Sequence, residues 1–115
     1  MMEPEGMYGA LQEAEYLVRR AQEYGMTGDH TSAIDYLKKA IEKYPRYAEA
    51  YTALGNCQEC QDKLDDAITS YNKALQIDPT SADAWFNKGT TLQKKGQIEE
   101  ARLCIARSID LYVGR

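Results

Sequence analysis

Residues 48–81 read AEAYTALGNCQECQDKLDDAITSYNKALQIDPTS, and the segments on either side repeat this arrangement of large, small and turn-forming residues. The preceding segment, residues 14–47, is AEYLVRRAQEYGMTGDHTSAIDYLKKAIEKYPRY. The following segment, residues 82–115, is ADAWFNKGTTLQKKGQIEEARLCIARSIDLYVGR. Most of the 115-residue chain therefore consists of three units with a period of 34 residues. Such a period indicates a repeat architecture, in which each unit buries its apolar face against its neighbours.

Aligned positions of the three units have roles in packing one helix against another. The fourth position is large and apolar, the eighth and twentieth are small, and the twenty-fourth is large again. In the second unit these positions hold Tyr51, Gly55, Ala67 and Tyr71. Small residues at facing positions let two helix backbones approach closely, while the larger side chains fill the space beside them.

Turn signals divide each unit into two helices. Gly28 and Gly96 indicate the end of the first helix, because glycine adopts left-handed backbone angles at little cost. Pro45 and Pro79 follow the second helix, since the residue before a proline is pushed out of helical geometry. Between these signals, apolar residues recur at helical spacing. The pattern predicts six helices, over residues 9–26, 30–43, 47–60, 63–76, 81–94 and 97–111.

These residues resemble the tetratricopeptide repeat family, whose pattern is W-x2-L-G-x2-Y, then A-x3-F, then P. The second unit carries Tyr51, Leu54, Gly55, Ala67, Tyr71 and Pro79 at those positions. The third carries Trp85, Gly89, Ala101 and Ile105, and the first carries Leu17, Ala21, Tyr24, Ala33, Leu37 and Pro45. The resemblance implies an all-α fold, a right-handed superhelical solenoid of three helix-turn-helix repeats.

The predicted domain covers residues 14–115, and residues 1–13 are expected to form a flexible leader and the start of the first helix. Three positions depart from the repeat pattern. Asp62 stands where the other units have glycine, Gln58 replaces a tyrosine, and Val113 replaces the proline. These departures leave open the geometry of the middle turn and the end of the last helix.

Composition and charge argue against several classes of function. The chain has a formal net charge of -4, and its 43% hydrophobic and 28% charged residues are typical of a folded protein. Lysines and arginines occur singly or in pairs beside acids, so no basic face for nucleic acid is predicted. No apolar run is long enough to cross a membrane, and the first residues lack a secretory signal. We expect neither a nucleic-acid nor a membrane partner, and a cytoplasmic location.

The stretch CQEC at residues 57–60 raises the possibility of a metal or redox centre. Two cysteines three residues apart share one helix face, but a structural zinc ion needs a full tetrahedral ligand set. The other soft ligands, Cys104 and His30, lie in different repeats. No nucleophile or carboxylate cluster accompanies His30, so no catalytic site is predicted. We expect Cys57 to be buried, Cys60 to be more exposed, and no metal or cofactor.

The resemblance also implies where a partner would bind. In tetratricopeptide repeats the first helix of each unit lines a concave groove, and extended concave surfaces of this kind bind other proteins. The predicted groove residues are Val18, Arg19, Gln22, Thr52, Asn56, Glu59, Phe86, Asn87 and Thr90. Asparagines at the positions of Asn56 and Asn87 bracket a peptide bond in peptide-binding members of the family. Both amides could equally be solvated residues on a polar helix face.

Groove charges predict the chemistry of the partner. Glu15, Glu49, Glu59 and Asp83 outnumber Arg19 and Lys94 there, which favours a neutral to mildly basic segment, with Val18, Met26 and Phe86 as apolar anchors. One subfamily binds chaperone C-termini through a clamp of lysine, arginine and asparagine. This chain has Val18, Gln22, Ala53, Asp83 and Asn87 at the clamp positions. The clamp is absent, so binding of a chaperone tail by that mechanism is not expected.

The last predicted helix supports an alternative hypothesis. Each repeat leaves an apolar face for the next, and Ile105, Ile109, Leu111 and Tyr112 have no following repeat to cover them. Uncovered apolar faces usually mark contact surfaces. The alternative is therefore self-assembly, for example as a homodimer, docking on a partner, or membership of a longer array. The main prediction is a non-enzymatic scaffold or adaptor that binds a protein segment in its groove.

Overall fold

A computed structural model describes the backbone of residues 3–114 and the side chains of residues 9–114. Within this part of the chain it contains helices and no strands. The helices are α1 (Glu3–Met26), α2 (His30–Lys43), α3 (Ala48–Cys60), α4 (Leu64–Ile77), α5 (Ala82–Lys94) and α6 (Ile98–Val113). The predicted all-α class and the three helix pairs are confirmed.

Helix α1 is the one element whose boundary differs clearly from the prediction. It begins at Glu3, whereas the sequence pattern placed its start near Gly9. Pro4 falls in the predicted leader, yet a proline is well tolerated in the first turn of a helix, where its missing N–H needs no partner. Met1 and Met2, at the beginning of the predicted leader, lie outside the described residues.

The turns inside the three repeats share one backbone geometry. Gly28 and Gly96 have φ angles of 88° and 86°, and Asp62 at the equivalent position of the second repeat has a φ of 64°. The middle turn is therefore the same as the other two, although a side chain is present there. At the second departure, Gln58 Oε1 accepts a hydrogen bond of 2.6 Å from the buried hydroxyl of Ser70.

Helices pack as pairs, and the pairs stack in chain order. Each helix contacts the next one along the chain, and α3 also contacts both α1 and α5. Among the described residues, α2 and α4 do not touch each other, and neither do α4 and α6. The first helices of the repeats therefore lie on the inner side of a curved stack, which is the side predicted to form the groove.

Apolar clusters between the helices form the core. The largest joins the first repeat to α3 and contains Ala14, Val18, Ala21, Ala33, Leu37, Ala40, Ala50, Leu54 and Cys57. Two smaller clusters lie further along, and the ring of Trp85 packs against both of them. Burial of Cys57 and exposure of Cys60 agree with the prediction for the CQEC stretch.

Two glycines set the spacing between paired helices. A Cβ atom on Gly55 would lie 2.5 Å from Cε1 of Tyr71, and one on Gly89 would lie 2.6 Å from Cγ1 of Ile105. The Gly89 position is also 3.1 Å from the carbonyl oxygen of Ala101. Real Cβ atoms essentially never approach other atoms within 3.0 Å, so a side chain at either site requires the facing side chain or the facing helix to shift.

We predict that Gly89→Ala lowers the free energy of unfolding by about 1–3 kcal/mol, because the added methyl group overpacks the contact between α5 and α6. Gly25→Ala is the matched control, since nothing lies within 4 Å of a Cβ there. The control should gain up to about 1 kcal/mol from helix propensity. Urea denaturation followed by circular dichroism measures both, and equal effects of the two substitutions would contradict the role of Gly89.

We predict that Asp62→Gly raises the free energy of unfolding by about 0.5–1 kcal/mol. A left-handed backbone costs a residue with a side chain more than it costs glycine, and the gain is partly offset by the greater freedom of glycine in the unfolded chain. Thermal denaturation at several pH values checks the result. A loss of stability would show that the side chain of Asp62 contributes more than its backbone geometry costs.

Candidate peptide-binding groove

The predicted groove residues lie on the three first helices of the repeats. Arg19 and Gln22 on α1, and Asn56 on α3, are exposed on the inner side of the stack, as is Phe86 on α5. Glu59, Thr52, Asn87 and Thr90 are partly buried.

Val18 belongs to the core and does not line the groove surface. Only 3% of its surface is exposed, and it packs in the cluster that joins the first repeat to α3. The position rule of the resemblance assigned it to the groove, but an apolar residue at the edge of a helix interface is drawn into the core by the surface it buries there. Val18 is therefore not available as an apolar anchor.

Asn56 and Asn87 meet across two repeats. The side-chain Nδ2 of Asn87 donates a 3.0 Å hydrogen bond to Oδ1 of Asn56. The same oxygen accepts a 2.7 Å hydrogen bond from the hydroxyl of Tyr71, which reaches it from α4. Three helices thus contribute to one polar network, which we call the amide network. The sequence pattern predicted both asparagines, but it gave no sign of their contact with each other or with Tyr71.

The groove threonines are held by their own helices. Thr52 donates its hydroxyl hydrogen to the carbonyl oxygen of Ala48 at 3.3 Å, and Thr90 donates to that of Asn87 at 3.0 Å. A hydroxyl has one hydrogen, so each threonine can offer a partner only its oxygen lone pairs. In the groove, the amides have more hydrogen-bonding capacity left than the threonines.

A pocket of about 290 Å³ lies beside Asn56, between α1, the start of α2, and α3. Its lining residues are Ala21, Gln22, Gly25, Met26, His30, Leu37, Ala53, Asn56, Cys57 and Cys60. No carboxylate, ammonium or guanidinium group is among them. We call this cavity the uncharged pocket. It provides an apolar space directly next to a polar amide, a combination that suits a side chain and its main chain.

His30 is a pocket residue to which the sequence pattern assigned no role in a site. Its Nδ1 atom is buried and has no hydrogen-bond partner within the described part of the chain. One sequence feature could have identified His30 as a pocket residue. It occupies the first position of α2, and the short turn before it brings this position next to the end of α1. His30 lines the same pocket as the two cysteines of CQEC, yet no group of three or more His, Cys, Asp or Glu side chains in residues 9–114 could hold a metal ion.

Burial raises the pKa of the Cys57 thiol, and neighbouring Cys60 raises it further. A raised pKa keeps the thiol protonated near neutral pH, and a thiol is much less nucleophilic than a thiolate. The environment of Cys57 is therefore that of a packing residue.

Several charged groups in the groove are already paired. Lys94 forms an ion pair with Glu59, and Tyr112 donates a hydrogen bond to Asp83. Tyr47 donates to Glu49 at 2.9 Å, and its own pKa is raised by burial and by that carboxylate. The contact of Glu59 with Lys94 pairs opposite charges, whereas the contacts of Glu49 and Asp83 are hydrogen bonds from tyrosine hydroxyls.

Of the four residues predicted to form an uncovered apolar face on α6, the structure exposes two. Ile105 packs against Gly89, and Leu111 is partly buried, so neither points freely outward. Ile109 and Tyr112 are exposed. The burial of Ile105 could have been predicted from its position in the repeat, because the other two repeats have Leu37 and Tyr71 at the same position. The sequence reasoning also missed three exposed apolar residues of α6, namely Ile98, Leu103 and Val113.

No helix in the described residues combines the length and the apolar character that a membrane crossing requires.

Comparison with protein families identifies the class of protein. A model described as "Tetratricopeptide repeat" matches residues 14–47 and 82–112, and a second with the same description matches residues 36–69. A model described as "TPR repeat" matches residues 60–96. The chain belongs to the tetratricopeptide repeat family.

Two curated relatives are much longer proteins. The cell division cycle protein 27 homolog of Caenorhabditis elegans is 34% identical over 88 residues, which cover 76% of this chain and 11% of that protein. Human protein O-mannosyl-transferase TMTC1 is 33% identical over 92 residues, covering 76% of this chain and 10% of that protein. The chain thus spans only a small part of these relatives.

A solved structure shows the same fold. The second tetratricopeptide repeat domain of Spaghetti (RPAP3), solved with the HSP90 peptide SRMEEVD, superposes with a TM-score of 0.87. The alignment covers 93% of this chain and 98% of that chain, at 19% identity. The three-repeat solenoid is therefore confirmed by an independent structure.

Proposed function

We propose that this chain is a non-enzymatic interaction module that binds a neutral to mildly basic protein segment in its groove, in a scaffold or adaptor role. The observation that carries the proposal is the contact between Asn56 and Asn87, 3.0 Å apart across two repeats. A pair of amides can donate to and accept from a peptide main chain at the same time. The solved relative with a bound peptide supports this use of the fold.

Pocket chemistry supports an apolar anchor in the bound segment. The uncharged pocket is bordered by Asn56 and lined by Ala21, Leu37 and Ala53. Burying a charge there would leave it without a partner, which is costly, whereas an apolar side chain gains free energy by leaving water. An aliphatic residue next to the segment bound by the amides fits both parts of the site.

Groove charge supports a neutral or mildly basic partner. With Glu59 paired to Lys94, the remaining predicted groove charges are the carboxylates of Glu15, Glu49 and Asp83, and the guanidinium of Arg19. An acidic segment such as the peptide SRMEEVD would meet repulsion from these carboxylates. The chain also lacks the clamp residues, so we propose that it selects a different class of segment.

We predict that the double substitution Asn56→Ala and Asn87→Ala weakens peptide binding about tenfold or more, since at least two hydrogen bonds are lost. The probe is the capped heptapeptide Gly-Ser-Lys-Ser-Leu-Ser-Gly, and isothermal titration calorimetry measures its affinity. Peptides with aspartate in place of the leucine, and the peptide SRMEEVD, should bind more weakly than the probe.

Asn72→Ala is the matched control, because Asn72 is an exposed asparagine on α4, outside the set of first helices. The control should bind the probe like the wild type. Unchanged affinity of the double variant, or stronger binding of SRMEEVD than of the probe, would contradict the proposed partner chemistry.

We also propose a cytoplasmic setting. All three cysteines of the chain are free, and two of them are buried in the core without a disulfide. Free thiols are typical of reducing compartments. Fractionation of source cells with an antibody against the chain tests this location.

A second candidate function is self-assembly through α6. Ile98 and Ile109 are exposed on one side of this helix, at positions whose counterparts in α4 are Leu64 and the buried Leu75. Arg102, paired with Glu99 at 3.3 Å, stands where α4 has Ile68, which packs against the next repeat. A charged residue among the apolar ones makes this face less suited to docking than the groove, so self-assembly remains second.

If the chain does self-associate through α6, we predict that Ile109→Lys weakens the dimer at least about tenfold, because a charge enters the apolar contact. Leu103→Lys is the control, since Leu103 is 71% exposed and lies on a different side of α6. Sedimentation velocity over a range of concentrations measures both. A wild-type chain that stays monomeric throughout would rule out this candidate.

A further inference from the structure

Tyr71 is a residue of α4 that lies behind the groove, and its hydroxyl contacts a side chain of the groove. The residue is 1% exposed, and its ring packs on Gly55, which has no side chain to hold it away from α3. Its hydroxyl therefore reaches past Gly55 to the next residue of α3, Asn56, and donates a hydrogen bond of 2.7 Å to Oδ1. We propose that Tyr71 is a positioning residue, which fixes the Asn56 amide and so gives the groove a defined direction for a bound peptide.

This inference rests on the proposed function and adds the orientation of the ligand to it. The hydroxyl hydrogen of Tyr71 needs an acceptor, because a buried donor without one is costly. Burial raises the pKa of Tyr71, so the hydroxyl keeps its hydrogen throughout the physiological pH range. In the structure the oxygen of Asn56 faces Tyr71, and turning the amide over would break this bond.

The orientation of the Asn56 oxygen determines which hydrogen-bond donors and acceptors the groove presents to a ligand. Oδ1 of Asn56 accepts from both Tyr71 and Asn87, so the Nδ2 group of Asn56 is turned away from the network. Within the described part of the chain, neither Nδ2 of Asn56 nor Oδ1 of Asn87 has another hydrogen-bond partner. The second repeat therefore presents donors to a ligand, and the third repeat presents an acceptor beside them.

An extended peptide matches this pair through one residue in one direction, and in the opposite direction only through the more widely spaced C=O and N–H of residues two apart. In an extended chain the N–H and C=O of one residue point to the same side, and they form the closely spaced pair of an antiparallel ladder. The N–H comes first along the chain. It would donate to Asn87 Oδ1, and the C=O would accept from Asn56 Nδ2. The peptide therefore runs from the third repeat towards the second, and the residues that follow reach the uncharged pocket.

The positioning contact occurs once in the three repeats. At the position of Tyr71 the first repeat has Leu37 and the third has Ile105, neither of which carries a hydroxyl. At the position of Asn56 these repeats have Gln22 and Thr90. Only the second repeat combines a tyrosine hydroxyl with an asparagine amide at these positions. The direction of the bound peptide is therefore determined by the contacts of one ligand residue.

The first test needs no ligand. In the free wild-type chain, nuclear magnetic resonance should show fast hydrogen exchange for both side-chain N–H hydrogens of Asn56, and slower exchange for one of Asn87. Protection of the Asn56 hydrogens would mean that the amide is turned the other way, which would overturn the proposal. Tyr71→Phe should leave the ring contact with Gly55 in place and increase exchange of the Asn87 hydrogen as the network loosens.

The second test measures the direction of the bound peptide. The probe is the capped heptapeptide Gly-Ser-Lys-Ser-Leu-Ser-Gly with a nitroxide at one end, which broadens the signals of nearby residues. A label at the N-terminal end should broaden the backbone amide signals of α5, and a label at the C-terminal end should broaden those of α1. Tyr71→Phe should bind about threefold to tenfold more weakly and reduce this difference between the labels. Tyr51→Phe, which also loses a hydroxyl, should behave like the wild type.

The outcomes separate the two proposals. Binding of the peptide with equal broadening from both labels, or with the same direction preserved in Tyr71→Phe, would overturn the role of Tyr71 and leave the proposed function intact. Failure of the wild type to bind the peptide would overturn the proposed function, and the directional role with it.

Discussion

The packing of the Tyr71 ring on Gly55 is the contact on which the middle of the molecule depends. With no Cβ at Gly55, α3 and α4 lie close enough for an aromatic ring to fill the space between them. The same ring carries a hydroxyl that ends at the groove. One residue therefore joins the packing of a repeat to the surface that meets a ligand. Ile105 on Gly89 reproduces the packing in the third repeat without the polar extension.

The sequence predicts most of this fold because its determinants are local and repeated. A left-handed turn, a small residue at a helix contact and a proline after a helix each act over a few residues, and three copies reinforce one another. Asp62 shows the strength of the repetition, since it adopts the glycine geometry despite its side chain. The start of α1 escaped prediction because a proline in the first turn of a helix looks the same in sequence as one in a leader.

The site was less predictable, because its contacts connect distant residues. Family position was enough to select Asn56 and Asn87, but their mutual hydrogen bond depends on how one repeat stacks on the next. The same limit explains Val18, whose position suggested a groove residue although the neighbouring helices bury it. His30 enters the uncharged pocket through the turn that joins α1 to α2. The spacing of residues along one helix contains no information about such contacts between different helices.

Both boundaries between repeats contain apolar contacts, and the second boundary carries ion pairs in addition. A continuous apolar cluster joins the first repeat to the second. Apolar contacts of Ala74 and Leu75 with Ala84 join the second repeat to the third, and the ion pairs of Glu59 with Lys94 and Asp65 with Lys95 cross the same boundary. In the described part of the chain, no ion pair crosses the first boundary. Exposed ion pairs contribute at most about 1 kcal/mol each and are screened by salt. Concentrated salt therefore weakens the ion pairs at the second boundary, while the apolar contacts at both boundaries stay in place.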